Sequence, residues 1–440
     1  MPSGYSHSYS FLSRLISGIR RISGRRGGIA VILAGISIFV FSVVLAAAVA
    51  PNVGVAADDR RVTIVGSQGG GPGLHDDGSV YQLDGRSVAW RLADADSYFD
   101  VTKLPTGTVL AGYMNGETTP CGPYDEPCAR TGFRVINPPE ITADSSPTVT
   151  DEYSFPVRTR VNSEVHDVER LGPNEYVFTD MDAERIAIVD NGTITWEWYA
   201  NETYDAPPDP TRTDWLHIND IDVIDSDRFL VSVRNAHQLV IIERGHGVVE
   251  VINKDESGNG KGDPSVLRQQ HNPQWLGNGT VLVADSHNDR IVELHRGADD
   301  SWEVTWSIAA AEGVPFSWPR DADRLSNGNT LITDSLNKRI VEINNSGVAV
   351  WSYQTQKVPY EADRLPAGER VGGVAYTNAN NIDTAASTAT GRNIPILSLL
   401  LIGIQTGIQT PFWFTEIHVA TGVLALISII CGSGLILKNR

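Results

Sequence analysis

The chain has 440 residues, enough for two or three average domains or for one large all-β unit. Its formal net charge of -18 excludes a nucleic-acid partner, because a phosphate backbone needs a basic footprint. Only six of the 35 basic residues are lysine, and the acidic, lysine-poor surface is the composition expected of a protein from concentrated salt.

In chain order, the first feature is an apolar run from Gly28 to Ala50, long enough to cross a bilayer as a helix. Arg14, Arg20, Arg21, Arg25 and Arg26 stand before it, and Asp58 and Asp59 follow it. Positive charge on the near side predicts a cytoplasmic segment 1–27, a transmembrane helix 28–50 and everything after Ala50 on the extracellular side of the cell membrane. The Ala-rich end, Ala46 to Ala50, also matches a signal-peptide cleavage region, but the run is long for one. A second hydrophobic region, 394–437, closes the chain. Lys438 and Arg440 kept inside imply an odd number of crossings, most simply one at 417–437; the shorter run Ile394 to Ile404 is read as interfacial, with two crossings left open.

Between the apolar ends the sequence repeats itself with a period near 50 residues, a propeller signal. Five blocks align: His166-Asp-Val-Glu-Arg-Leu, His217-Ile-Asn-Asp-Ile-Asp, His271-Asn-Pro-Gln-Trp-Leu, Arg320-Asp-Ala-Asp-Arg-Leu and Tyr360-Glu-Ala-Asp-Arg-Leu, with a weaker copy at Phe99-Asp-Val-Thr-Lys-Leu. After the stronger blocks come turns such as Gly277-Asn-Gly279, then β-branched runs such as Thr280-Val-Leu-Val-Ala284 and Arg290-Ile-Val-Glu-Leu294. These are strand and hairpin signals. The predicted fold is all-β: a six-bladed β-propeller within 51–390, each blade four-stranded, flanked by N- and C-terminal transmembrane helices. The blades span roughly 60 to 385.

In a propeller the innermost strands point toward one axis, so equivalent repeat positions meet. The lead column reads Phe99, His166, His217, His271, Arg320 and Tyr360, which predicts three imidazoles, a guanidinium and a phenol around one pocket. The recurring Asp-x4-Arg pairs, Asp180 with Arg185, Asp285 with Arg290 and Asp334 with Arg339, read instead as structural ion pairs. Where the second strand of one copy runs Val231-Ser-Val-Arg-Asn235, Arg234 replaces the pattern and is expected to point inward near His217.

Cys121 and Cys128 flank a short Pro- and Gly-containing loop and could close a small disulfide in an oxidising compartment. Three imidazoles are also a zinc set, but Arg234 and Arg320 beside them repel a cation, so no metal is expected. The oxygen-rich stretch Asp255 to Asp263 reads as a solvated interblade loop rather than a calcium loop. Asn191, Asn201, Asn278 and Asn344 head Asn-x-Thr/Ser triplets that an extracellular domain could carry as glycans. No Gly-rich phosphate loop of the G-x4-G-K-S/T type is present, and no cofactor is expected.

The blocks His166-Asp-Val, His217-Ile-Asn-Asp, Ser232-Val-Arg234 and Gln270-His-Asn-Pro-Gln274 resemble, in their order, the PAPS-independent arylsulfate sulfotransferase family over about residues 95 to 365. That resemblance implies a six-bladed propeller that moves a sulfuryl group from an aryl sulfate to a phenol. It implies His271 as the residue that accepts the group, with His166, His217 and Arg234 around the sulfate oxygens. Arg320, Tyr360 and Phe99, with Trp215, Trp275 and Trp318 near the blade ends, are candidates to border the aryl pocket. The region before residue 95 matches nothing in that pattern, and the family's periplasmic members lack the double membrane attachment. The rival readings are a non-catalytic propeller that binds an extracellular ligand or protein, and a hydrolase that passes the group to water.

Overall fold

The computed structural model describes residues 24–50, 61–70, 74–139, 146–368, 372–376, 395–408, 410–411 and 413–438. The basic residues before 24 and the stretch 377–394 lie outside the described residues. The chain divides into two compact units, one of the apolar terminal segments and one of everything between.

The central unit is a six-bladed β-propeller. Blades 1 to 5 each open on their innermost strand, Ser97–Lys103, Val168–Arg170, Ile218–Val223, His271–Gly277 and Pro319–Arg324, and add three antiparallel strands outward. Tight turns of the primed type drive the hairpins: Asn278 (φ 52°) and Gly279 (φ 70°) both take the left-handed conformation that Asn-Gly tolerates best. Blade 6 differs from the sequence reading. Its inner strand Val358–Arg364 pairs with Val62–Gly69, and Gly78–Asp84 and Ser87–Ala95 complete it. The part of the chain before 95, unmatched in sequence, therefore supplies three strands of the sixth blade and closes the ring. Residues after Leu365 were expected to continue that blade; among those described, 372–376 instead cross blades 4 and 5, with Tyr376 packed on Trp306 and the Arg324 guanidinium.

Among the described residues the buried apolar side chains gather into seven clusters: six lie one at each junction of neighbouring blades, such as Ile186, Trp198, Ile221 and Val231 between blades 2 and 3, and a seventh gathers Phe99, Met114, Ala129, Val157 and Tyr360. Near the axis a polar ring joins the same junctions. Asp100 accepts the N–H of Val168 (3.2 Å), Asp167 that of Ile221 (2.6 Å) and Asp222 that of Trp275. Gln274 accepts that of Arg324 (2.7 Å), Asp321 that of Ala362 (3.1 Å) and Glu361 that of Val101 (3.4 Å). Each inner strand thus satisfies a backbone donor of the next, all the way round. The recurring acid or amide of the repeat block has this structural role, and it keeps buried N–H groups paired. The Asp-x4-Arg pairs sit across the register of adjacent strands, each with an Arg Nε to Asp Oδ2 distance of 2.7 Å.

Cys121 and Cys128 are joined as a disulfide. Asp255 accepts four backbone N–H groups of its own loop, from Ser257, Gly258, Asn259 and Gly260, which makes the stretch a self-capped turn.

In the terminal unit, helix α1 (Arg25–Val49) and helix α3 (Glu416–Lys438) are both long and apolar enough to cross a membrane; α2 (Pro395–Gly407) is shorter. α1 and α3 run antiparallel in close contact. A Cβ on Gly28 would meet the Gly432 carbonyl at 2.5 Å, and one on Gly35 would meet Ser428, so small residues let the backbones approach. Ser42 and Thr421 hydroxyls add a hydrogen bond at 3.0 Å.

Candidate functional site

The lead column of the repeat does converge. His271, Arg320 and Tyr360 lie on or at the start of inner strands, and His166 and His217 stand just before theirs, so all five line one axial cavity of about 150 Å³. This is smaller than the roughly 300–1,000 Å³ typical of drug-sized sites and suits a compact ligand. Arg234 joins them as expected, although the register places Val233, not Arg234, at the position of the usual Asp; Arg234 is one residue further on, in the short 3-10 turn that follows the strand. A larger hollow of about 660 Å³ lies among the loops 251–266 and 299–302, where the lysines and most carboxylates are exposed, remote from this chemistry.

The rings are close-packed. His166 and His217 have centroids 5.5 Å apart, and Tyr360 stacks on His166 at 5.1 Å. The Arg320 guanidinium lies 5.1 Å from the Tyr360 ring and 4.5 Å from that of Trp318. Phe99 does not line the cavity: it is fully buried behind it, edge-on to His166 at 4.7 Å and to Tyr360 at 5.4 Å, and so supports the wall rather than borders the ligand. Of the tryptophans, Trp318 lines the cavity, whereas Trp215 and Trp275 pack against interblade clusters.

Two of the three histidines are oriented by a hydrogen-bonded partner. The Ser286 hydroxyl, 3.3 Å from the Ala284 carbonyl to which it donates, presents a lone pair to His271 Nδ1 at 2.8 Å. With the hydroxyl proton directed at Ala284, the contact matches the tautomer that carries its proton on Nδ1 and turns the Nε2 lone pair to the cavity. His217 Nδ1 is 2.5 Å from Asp214 Oδ1. The His217 backbone takes a left-handed φ of 56°, and the Glu184 carboxylate holds it there by accepting the N–H groups of Leu216, His217 and Ile218.

Burial, reinforced by the charges of Arg234 and Arg320, holds His271 well below the usual histidine range. Burial likewise lowers His166 against the pull of Glu164, and it lowers His217 together with Arg234. The three rings are therefore neutral at pH 7. The two arginines carry the positive charge; burial lowers Arg320 to about 10, which still leaves it protonated. Among the described residues, buried polar atoms without a hydrogen-bond partner include His166 Nδ1, Tyr360 Oη, Arg234 Nε, Arg320 Nε and Trp318 Nε1, all on residues of this cavity. Buried polar atoms left unpaired are costly, and five in one wall are an arrangement for a polar ligand. No group of His, Cys, Asp and Glu among the described residues has metal-holding geometry.

Sequence reasoning missed Gln68, His75, Glu164, Asp214 and Ser286. Gln68, on a strand, and His75, in the connection after it, come from the N-terminal part of the chain that had no match. Glu164 and Asp214 lie two and three residues before their histidines, in the connections between blades. Ser286 was findable, since it stands one residue after the strand of blade 4, as Arg234 does in blade 3.

Fold and site together define a β-propeller with a buried, arginine-bearing polar centre. No family model matches the chain, and no curated protein matches it. Among solved structures the chain is similar to a protein of unknown function from Bacteroides caccae (15% identity, 70% of this chain and 100% of that one, TM-score 0.47). Others are the periplasmic gluconolactonase of Pseudomonas aeruginosa (12%, 69% and 98%, 0.39) and virginiamycin B lyase from Staphylococcus aureus (12%, 59% and 70%, 0.36).

Proposed function

We propose that this chain is a membrane-anchored sulfotransferase that moves a sulfuryl group from an aryl sulfate to a phenolic acceptor without a nucleotide donor. The observation that carries the reading is His271: a neutral ring, its Nδ1 held by Ser286, in a cavity that also presents the guanidinium groups of Arg234 and Arg320. In the first half-reaction Nε2 attacks sulfur, the N–S bond forms and the aryl S–O bond breaks. In the second, the acceptor phenol attacks sulfur and the N–S bond breaks, regenerating the ring. Arg234 and Arg320 stabilise the sulfuryl oxygens throughout, in a site where low dielectric strengthens them. His166, His217 and Tyr360 complete the oxygen-binding wall.

The same reading makes the protein integral to the cell membrane. The basic residues before α1 favour a start in the cytoplasm and a propeller outside, and the close packing of α1 on α3 supports a retained anchor.

The test uses the full chain in detergent and high salt with a chromogenic aryl sulfate, with and without a phenol. Acceptor-dependent product, and a sulfuryl adduct on the His271 peptide that His271→Ala abolishes, are expected. A wild-type protein that takes up no label from several donors would mark the propeller as a binding domain; product formed equally without acceptor would mark it as a hydrolase.

A further inference from the structure

The transfer just proposed needs a proton, because the conjugate acid of a departing phenolate has an ordinary pKa of about 10 and the anion must be neutralised. None of the three histidines of the repeat column holds one to lend, since burial keeps all three as neutral rings. A fourth histidine stands beside a carboxylate instead. His75, between the first two strands of blade 6, lines the same cavity and is 3% exposed, as is Glu164 beside it.

Hydrogen bonding holds His75 at both ring nitrogens. Its Nε2 is 3.0 Å from Glu164 Oε1, and its Nδ1 is 2.9 Å from Ser97 Oγ. Ser97 has one hydroxyl proton and donates it to the Gln68 carbonyl at 2.9 Å, so only lone pairs face the ring. The Glu164 carboxyl also accepts the Ser163 N–H at 2.6 Å. Burial works to raise its pKa, but the contacts with His75 outweigh that and hold it down to about 2. Both ring nitrogens of His75 are therefore within hydrogen-bond distance of oxygen, one of a carboxylate and one of a hydroxyl. A buried polar pair of this kind is a weak source of stability, since desolvation offsets the attraction. Its placement in a cavity wall, apart from the interblade ring of hydrogen bonds, calls for another use.

We propose that the His75–Glu164 pair stores the proton of the sulfuryl transfer, a role that rests on the sulfotransferase reading. In the first half-reaction the S–O bond breaks, Glu164 hands a proton to the departing phenolate and takes the Nε2 proton of His75, leaving a neutral ring beside an ionised carboxylate. In the second, the acceptor phenol gives its proton to Glu164, which returns one to His75, as the phenolic oxygen bonds to sulfur and the N–S bond breaks. No proton is gained or lost over the cycle. Glu164 is the member that meets the reacting oxygen; His75 acts through it.

The dependence on leaving group is the test, with full-length protein and a series of donors from phenyl sulfate to 4-nitrophenyl sulfate, whose anion leaves more readily unaided. His75→Gln and Glu164→Gln are expected to lower kcat on phenyl sulfate about 100-fold, the size of a lost general acid. On 4-nitrophenyl sulfate the loss is expected to be about tenfold smaller, while Glu164→Asp, which keeps the carboxyl, recovers part of the phenyl sulfate rate. Equal losses on every donor, or no loss on any, would overturn the proton store while leaving the transferase standing. A wild-type chain inactive on all donors overturns both. If His75→Gln fails to fold, the near-isosteric Glu164→Gln decides alone.

Discussion

His271 Nδ1 and Ser286 Oγ lie 2.8 Å apart, and this contact decides which nitrogen of the ring keeps its lone pair. Because the hydroxyl also donates to the Ala284 carbonyl, it faces the ring as an acceptor, and the opposite nitrogen is left for the cavity. Ser286→Ala removes that orientation without touching the cavity wall. Sulfuryl labelling of His271 is expected to slow about tenfold, the equivalent of one hydrogen bond of ~1.4 kcal/mol. Unchanged labelling kinetics would show that packing alone orients the ring.

Arg234 and Arg320 are expected to act mainly on donor affinity. Replacing either by Gln removes a charged donor to the sulfuryl oxygens, a loss of roughly 1.5–3 kcal/mol, or about 10- to 150-fold in kcat/KM. Lysine is not an adequate substitute for Arg320, because its ammonium cannot reproduce the planar contact with Trp318 and Tyr360. Steady-state kinetics at fixed salt check both substitutions.

The acid limb of the pH profile should report His271. Protonation removes the attacking lone pair, and burial together with Arg234 and Arg320 lowers the ring's pKa well below its ordinary 6.5. The folded ring therefore stays neutral as pH falls through 6.5, and kcat/KM is expected to persist into more acidic solution than an exposed histidine allows. Arg234→Gln removes one of the lowering charges, so the limb should move to higher pH. A limb that stays in place in that variant would assign it to another group.

The interblade ring of hydrogen bonds makes a prediction about stability. Asp167 Oδ2 accepts the Ile221 N–H at 2.6 Å across the junction of blades 2 and 3. Asp167→Ala leaves that buried donor unsatisfied and is expected to cost about 1–3 kcal/mol, read as a lower denaturant midpoint. A variant as stable as the parent would show that the apolar clusters alone close the ring.

The disulfide between Cys121 and Cys128, seven residues apart in sequence, closes a small loop in blade 1. On the chain-entropy view a loop of that size is worth roughly 2.5 kcal/mol. A double Cys→Ser variant should melt earlier while keeping its turnover below the transition, since neither sulfur lines the cavity.

Much of the fold was legible because a repeat is written in the sequence directly. The period, the Asn-Gly turns and the Asp-x4-Arg pairs each arise within one blade, from local hairpin geometry and register, and they needed no knowledge of neighbours. The convergence of His166, His217, His271, Arg320 and Tyr360 followed from the same regularity, since equivalent positions around an axis must meet. Phe99 holds the equivalent place in blade 1, yet its ring packs behind His166 and Tyr360, because rotamer and neighbours, not repeat position, set which side chains reach the cavity.

What the sequence determined by itself was therefore the architecture and one column of its centre. Only the tertiary structure decided how blade 6 is closed, because strand pairing between residues about 300 positions apart leaves no local pattern. Only the tertiary structure brought His75 against Glu164 and Ser286 against His271. His75 and Glu164 come from connections that differ in every blade, and Ser286 from a turn whose side chain differs between blades. The burial that fixes the charge of each group is a property of the closed ring, not of any one blade.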